Sequence, residues 1–316
     1  MSPAETSPPE RVRIKDVARA AGVSPATVSF VLNATAGQTI RPETADRVHR
    51  AADALGYSPH RIARALRSGS SRVVLLEAGA LPRTAVLDSF IDGMDAELRR
   101  YDFALVVHHD RGNGAAPVDL ARELAPRSVI DIAALYSDEA DETEDGGWTD
   151  GLALHSSLQI AYLHEQGHRV IGFAARREDE LGALVARRRR HAEEAAVRLG
   201  LHPLALLDLP ADPLDIPAAL VTFREENPEV TAVAAFDDES AIAVLSAAAR
   251  LGVRVPTDMA VIGFDESAVG AFWSPPLTTV RIDAAESGRR TARLAIGLDP
   301  GPRRSSPSTI VVRGSA

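Results

Sequence analysis

Residues 13–33, with the sequence RIKDVARAAGVSPATVSFVLN, decide the fold of the N-terminal part of this 316-residue chain. Four apolar side chains recur at the i, i+3, i+4, i+7 spacing that gives a helix one apolar face. They are Ile14, Val17, Ala18 and Ala21. We expect Gly22 to end this helix in the left-handed conformation, and Ser24 to cap a second helix that begins at Pro25. Two short helices joined so tightly predict a helix-turn-helix, whose second helix has the right size for a DNA major groove.

Two further segments follow this motif directly. Residues 41–57, RPETADRVHRAADALGY, predict a third helix, and residues 58–68, SPHRIARALRS, predict a short helix that starts at Pro59. Together with residues 13–33, these segments resemble the DNA-binding headpiece and hinge of LacI/GalR-family transcriptional regulators. The resemblance implies a helix-turn-helix domain over 13–57 and a hinge helix over 58–70. The plainer alternatives are an amphipathic helical domain that binds no DNA, and a simple linker over 58–70.

The resemblance also assigns contacts with DNA. It places base contacts at Pro25, Ala26 and Phe30, on the outer face of the second helix. Phe30 stands where many relatives carry Arg, so it would pack on a thymine methyl group, unless it turns inward against the third helix. The other residues expected at the DNA, several of them at phosphates, are Arg13, Lys15, Ser24, Thr27, Ser29, Asn33, Tyr57, His60, Ala63 and Leu66.

The hinge segment has a separate role in the family. Its leucine, Leu66 here, is pushed between central base pairs in the minor groove when two subunits meet over DNA, and Ala63 leaves room for that approach. Unstacking one base step costs a few kcal/mol. Because so short a helix is unstable alone in water, we expect it to fold on specific DNA only. The resemblance thus implies a homodimer on a pseudo-palindromic double-stranded operator.

From Arg72 onward, short apolar runs alternate with helical patterns, which is typical of α/β domains with parallel sheets. Strands are predicted over residues 73–76, 103–107, 130–136, 170–173, 204–207, 232–236, 259–264 and 309–313, and helices over about 85–100 and 283–295. This part is similar to the periplasmic-binding-protein-like effector domain of the same family, in which two Rossmann-like lobes close on a small molecule. We therefore expect a small all-α helix-turn-helix domain followed by a two-lobed α/β domain over 71–316.

The strongest matches in this larger domain are residues 235–244, AFDDESAIAV, and residues 252–265, GVRVPTDMAVIGFD. The resemblance implies a first lobe of about 71–150 and 281–298. It implies a second lobe of about 151–280 and 303–316.

By position, the resemblance places effector contacts at Arg188, Asp237, Asp238 and Asp265, with Trp273 near the cleft. Carboxylates at the ends of parallel strands face a ligand crevice, where they accept hydrogen bonds from sugar hydroxyls, and an Arg can clamp two oxygens at once. These residues predict a sugar-like or polyol-like effector, although two adjacent acids would also suit a cationic ligand. Asp237 could instead be a helix N-cap.

The first lobe departs from the family pattern. Only the acidic segment 137–150 stands where relatives have a further helix and strand, so at least one α/β unit is expected to be missing. Val86 and Leu87 also stand where relatives often carry aromatics that cover a sugar. A DNA-binding regulator with a vestigial effector pocket, controlled by a protein partner or by its own abundance, therefore stays an alternative.

Composition narrows the remaining classes of protein. The chain has no Cys and no membrane-length apolar run, and residues 1–12 form a polar tail without a signal-peptide core, which predicts a cytoplasmic protein without membrane contact. No phosphate-binding loop, dinucleotide fingerprint, metal-ligand spacing or nucleophile elbow occurs, so we expect neither an enzyme nor a cofactor. A cytoplasmic small-molecule-binding protein is the remote alternative.

Charge is divided unevenly along the chain. Residues 1–70 hold ten Lys and Arg against six Asp and Glu, a net charge of +4; the whole chain carries −9, so residues 71–316 carry −13. A basic head on an acidic body suits DNA binding by the head alone, because counterion release needs positive charge only at the contact face.

Overall fold

The chain folds into two compact units, Met1–Ser71 and Arg72–Ala316. In the computed structural model, the residues described are 12–32, 40–55, 71–79, 81, 83–109, 120–132, 148–176, 182–302 and 304–316. The predicted tail over 1–12, apart from Val12, and the hinge over 58–70 lie outside these ranges. No helix in the described ranges is long and apolar enough to cross a membrane.

The first unit is built from three helices, α1 (Ile14–Ala21), α2 (Pro25–Leu32) and α3 (Pro42–Ala54). Gly22 ends α1 with φ +66°, and Ser24 Oγ accepts the Thr27 N–H at 3.1 Å, as the sequence predicts. The three helices bury a small apolar core: Val17, Ala18, Ala21, Val28, Val48 and Ala52. Each of the larger side chains contributes about 1.5–3 kcal/mol when it is buried.

The second unit begins with a three-stranded parallel sheet in the order β2-β1-β3. Its strands are β1 (Val73–Glu77), β2 (Ala104–His108) and β3 (Ser128–Asp131); its helices are α4 (Ala85–Arg100) and α5 (Leu120–Leu124). The third strand had been expected over 130–136. It begins two residues earlier because Ser128 and Val129 pair with Val74 and Leu75 of β1.

A second parallel sheet follows, with four strands in the order β5-β4-β6-β7. The strands are β4 (Ile171–Arg176), β5 (Ala205–Leu209), β6 (Ala232–Ala235) and β7 (Ala260–Ile262). The helices are α6 (Trp148–Glu165), α7 (Gly182–Arg198), α8 (Ile216–Glu226) and α9 (Asp238–Leu251). Parallel strands buried on both faces read as continuous apolar runs, which is why these strands were recognisable in the sequence.

The chain then returns through α10 (Ala268–Phe272), β8 (Thr279–Ile282), α11 (Ala285–Ala295) and β9 (Ser308–Val311). Strands β8 and β9 form an antiparallel pair, which the expectation of parallel sheets had not included. The Asp265 N–H donates to the Val280 carbonyl at 3.0 Å, so this pair is held beside the end of β7.

Helices α4 and α11 pack at unusually close range. A Cβ added to Gly93 would overlap the Ala285 backbone, and one added to Gly288 would overlap the Phe90 backbone. The buried Glu97 carboxylate closes the interface by accepting from Arg293 Nε at 2.7 Å. The interface joins α4, the helix after β1, to the returning segment, and α4 contributes Val86 and Leu87 to the wall of a cavity in this unit.

Candidate functional site

The outer face of α2 is the candidate DNA-reading surface. Pro25, Ala26 and Phe30 are exposed, and Phe30 keeps 37% of its surface accessible within its unit. Val28, on the opposite face, is fully buried. The helix therefore presents outward the three positions at which base contacts were expected, and Phe30 does not turn into the small core.

The other residues expected at the DNA lie on and around α2. The hydroxyls of Ser24 and Thr27 lie 2.9 Å apart and belong to the N-terminal cap of the helix, so their first role is local. Arg13 and Lys15 are exposed near the start of α1, where they can reach a phosphate. Ser29 is half-buried. The remaining predicted contacts, Asn33, Tyr57, His60, Ala63 and Leu66, lie outside the described residues.

The second unit contains a cleft at the carboxyl ends of β1, β6 and β7. Its inner part is a cavity of about 70 Å³, and its outer part measures about 570 Å³. Thr84, Phe264 and Asp265 line both parts, so the two are continuous. The carboxyl ends of parallel strands are where α/β domains bind ligands.

Arg188 of α7 is the centre of the inner cavity. Its side chain is only 3% exposed; its guanidinium carbon lies 3.3 Å from the ring centre of Phe264 and 5.3 Å from that of Phe236. Arg188 Nη2 donates to Gln159 Oε1 at 3.2 Å, while Nε has no hydrogen-bond partner among the described residues. Burial lowers the pKa of Arg188 to about 10, against the opposing carboxylates of Asp265 and Asp237, so the side chain is charged at neutral pH.

Gln159 of α6 holds Arg188 in place. Its Nε2 donates to the backbone carbonyls of Ala235 and Gly263 at 2.9 and 3.0 Å, which fixes the amide with its oxygen toward Arg188. Both carbonyls belong to the ends of the strands that open into the cleft. The arginine is therefore oriented through a buried amide and not by a second charge.

Asp265 and His155 are titratable groups whose pKa values the charge of Arg188 affects. Asp265 has φ +90°, a backbone conformation that is rare outside glycine, and strain of this kind clusters at functional sites. Burial raises the pKa of Asp265 to about 7; the Arg188 charge opposes this rise, and Asp237 and Asp238 add to it. Burial, and then Arg188, lowers the pKa of His155 to about 4, so its ring is neutral at pH 7.

The two adjacent acids have roles within the fold. Asp237 caps α9 by accepting the Ser240 N–H at 2.7 Å, which confirms the N-cap alternative, although its side chain also lines the outer cleft. Asp238 is 2% exposed and accepts from the Thr279 hydroxyl and the Ser267 N–H, both at 2.5 Å. Its carboxylate is therefore committed to holding the loop after β7, which argues against the expected contact with an effector.

Trp273 does not line either part of the cleft. It is half-buried and packs against the core of the second sheet. Trp273 was expected near the cleft as an effector contact; its neighbour Phe272 is the residue that lines the outer part, and it is 89% exposed.

Several residues of the cleft were missed by sequence reasoning. They are His155, Gln159, Leu184, Phe236 and Phe264. A signal existed for two of them, because His155 and Gln159 follow Leu152 at i+3 and i+7 and so place polar side chains on an apolar helix face.

The fold and this geometry agree with comparisons to known proteins. Residues 13–60 match the family of bacterial regulatory proteins called lacI, and residues 160–316 match the periplasmic binding protein-like domain. The HTH-type transcriptional repressor PurR of Vibrio atlanticus (strain LGP32) is 28% identical over 310 residues, which cover 90% of each chain. PurR of Haemophilus influenzae (strain PittEE) is 28% identical over 313 residues, again 90% of each.

Solved structures extend the likeness to the whole fold. The lac repressor dimer bound to operator and the anti-inducer ONPF superposes with a TM-score of 0.70 at 20% identity, covering 97% of this chain and 99% of that one. The complex of the transcriptional regulator CelR with cellobiose gives 0.58 at 23% identity, with 97% and 100% covered. The chain therefore combines a LacI-family helix-turn-helix domain with a periplasmic-binding-protein-like domain, and it is similar over most of its length to DNA-binding transcriptional repressors that share this arrangement.

Proposed function

We propose that the protein is a cytoplasmic repressor that binds a pseudo-palindromic operator as a homodimer, and that a small molecule in the cleft of its second unit sets its affinity for the operator. The operator-binding part of this proposal rests on one observation, the outer face of α2. It presents Pro25, Ala26 and Phe30 on a helix whose inner face completes an apolar core. Such a helix can enter a major groove without disturbing its own packing.

Charge supports the same assignment. The exposed basic side chains of the headpiece are Arg13, Lys15, Arg19, Arg41, Arg47 and Arg50. Each one that meets a phosphate releases a counterion, so affinity for the duplex depends on salt. The acidic charge of the second unit keeps that unit from adding non-specific adhesion to DNA.

The dimer and the hinge rest on the family resemblance. A symmetric dimer requires two half-sites with a central step that bends, and Leu66 is the residue that would wedge into that step. A repressor acts by occupying its operator, and the relatives named above are called repressors. Both points make repression the function that the chain supports best.

The residues of the cleft favour control by a bound ligand, and they argue against the alternative of a vestigial pocket. Arg188 of α7 and Asp265 at the end of β7 both line the inner cavity, and the buried Nε of Arg188 has no hydrogen-bond partner among the described residues. Evolution without a ligand would be expected to fill such a place with apolar side chains, since unpaired buried polar groups destabilise a fold. The sugar-like or polyol-like effector expected from the sequence stays a prediction, and the lining of the inner cavity favours a different class of ligand.

Selection from random duplex DNA tests the proposal. The purified full chain is mixed with the duplex pool at moderate salt, and bound duplexes are sequenced after several rounds. We expect enrichment of a pseudo-palindrome with a flexible central step. No enrichment, both with the chain alone and with added metabolite extract, would contradict sequence-specific binding.

A further inference from the structure

The guanidinium of Arg188 lacks a carboxylate partner in the described part of the chain. It is 3% exposed, and no Asp or Glu oxygen of the described residues comes within 4 Å of it. Its contacts are the rings of Phe264 and Phe236 and the amide oxygen of Gln159. A buried charge in proteins is normally paired, so the guanidinium edge that lines the inner cavity marks a place for an anionic oxygen.

Apolar side chains make up most of the wall around this edge. They are Leu81, Val86, Leu87, Leu152, Leu184, Phe236, Phe264 and Ile282. Of the two hydroxyls in the wall, Thr84 Oγ1 accepts the Leu87 N–H at 3.3 Å, and Ser306 Oγ lies 3.0 Å from Ser287 Oγ. The hydroxyls of a buried polyol need polar partners, and the wall of the inner cavity supplies few of them.

Asp265 complements Arg188 from the strand end. Its carboxyl has no side-chain hydrogen bond among the described residues, and in its protonated form it donates one. A ligand carboxylate can then accept from Arg188 through one oxygen and from Asp265 through the other. His155 is neutral at pH 7 and adds no competing charge.

We propose that the cleft binds a small monocarboxylic acid with an apolar body, its carboxylate on Arg188 and its body in the inner cavity. The inference rests on the proposed function, in which this cleft takes a regulatory ligand. It replaces a sugar with an acid because one buried cation and an apolar wall match that chemistry.

Size and charge limit the acid further. The inner cavity of about 70 Å³ has room for a short chain only, since a cavity that binds benzene measures about 150 Å³. A longer body extends past Thr84 into the outer part. There the acids, Asp88, Asp237 and Glu239 among them, outnumber the two arginines, Arg83 and Arg313, so the acidic wall disfavours a second carboxylate on the ligand.

Binding of defined probes to the full chain tests this inference. Butanoate, hexanoate and benzoate are titrated by calorimetry and by thermal shift, beside butanamide, hexanamide, benzamide, succinate, D-glucose and D-ribose. At least one monocarboxylate should bind and raise the melting temperature. Its amide should bind at least about tenfold more weakly, because the charge-assisted contact is lost. Equal binding of the amide, stronger binding of a sugar, or no binding of any monocarboxylate would overturn the proposal.

Variants locate the site. Arg188→Met keeps the length of the side chain and should abolish binding of the acid, whereas Arg189→Met, half-buried on the same helix and outside the cleft, should leave the Kd unchanged. If Arg188→Met does not fold, Leu184→Trp decides, since it fills the inner cavity from a half-buried position with Arg188 intact. Unchanged affinity in Leu184→Trp would contradict the placement.

The failure of this inference is distinguishable from that of the proposed function. The same preparation is titrated with the selected operator duplex and no ligand. Intact operator binding with no response to any monocarboxylate overturns the ligand class alone. Loss of sequence-specific operator binding overturns the proposed function itself.

Discussion

The headpiece and the cleft place their functional groups in opposite surroundings. In the headpiece, the core is apolar and complete, and the groups proposed to read DNA stand on the outside of α2. In the cleft, the charged groups Arg188 and Asp238 lie among core residues, 3% and 2% exposed. Stability and function should therefore separate in the headpiece and overlap in the cleft. Four predictions test that difference, beginning with the largest effect.

Asp238→Ala should destabilise the second unit by about 3 kcal/mol, because it leaves the Ser267 N–H and the Thr279 hydroxyl without their acceptor. Urea unfolding followed by circular dichroism measures the change. Glu239→Ala, at the next and exposed position, serves as the control and should change stability by less than about 0.5 kcal/mol. Equal effects of the two substitutions would show that Asp238 does not hold the loop.

Leu66→Ala should weaken binding to the selected operator by roughly tenfold or more and leave binding to random duplex nearly unchanged, because the wedge acts only on the bent specific site. Fluorescence anisotropy on both duplexes measures the two affinities at one salt concentration. An equal loss of affinity for both duplexes would contradict the insertion of Leu66 between base pairs.

Phe30→Arg should change the base preferred at one position of each half-site by about 1–3 kcal/mol, because Arg binds a guanine edge that Phe cannot. The free energy of unfolding should stay within about 0.5 kcal/mol of the parent, since Phe30 is exposed. Repeating the selection with the variant measures the preference. An unchanged motif would show that residue 30 does not face the bases.

Asp265→Asn should change how stability depends on pH. Asp265 has its pKa raised to about 7 in the fold, so between about pH 4 and 7 the folded chain holds a proton that the unfolded chain has lost, and stability falls as pH rises. His155, with its pKa lowered to about 4, acts in the opposite direction between about pH 4 and 6.5. Arg188, Asp237 and Asp238 also face Asp265, and Asn tolerates a positive φ.

Between pH 4.5 and 6.5 the contributions of Asp265 and His155 to the stability of the parent chain should therefore offset each other. In Asp265→Asn the opposing Asp265 contribution is lost, so stability should rise with pH over that range more steeply than in the parent, by about 1 kcal/mol per pH unit. Unfolding midpoints in urea at several pH values measure both profiles. Parallel profiles of the two chains would show that the fold does not raise the pKa of Asp265.

The same contrast explains what the sequence could predict. In the headpiece, the left-handed Gly22, the cap at Ser24 and the apolar spacing of α1 are local signals, and each is confirmed. Most strands of the second unit were also recognisable, because buried parallel strands are continuous apolar runs. The start of β3 was misplaced because register is set by its pairing with β1, which a local pattern does not contain.

The cleft depends on contacts between distant parts of the chain. Gln159 binds Arg188 across 29 residues, and Asp238 binds Thr279 across 41. No local sequence pattern indicates that the Asp238 carboxylate is buried and hydrogen-bonded, whereas the Asp265 carboxyl has no side-chain hydrogen bond among the described residues. Nor does the sequence say that Trp273 turns into the core while Phe272 stands at the cleft. The family resemblance located the strand ends, and only the packing assigned each side chain its surroundings.

The most direct test of the account is an operator titration in which one half-site is destroyed. The full chain is titrated by anisotropy against the selected duplex and against the same duplex with one half-site scrambled at constant base composition. If two headpieces of a dimer read the operator together, the scrambled duplex should bind at least about a hundredfold more weakly. Equal affinity for the two duplexes would contradict dimeric, sequence-specific recognition.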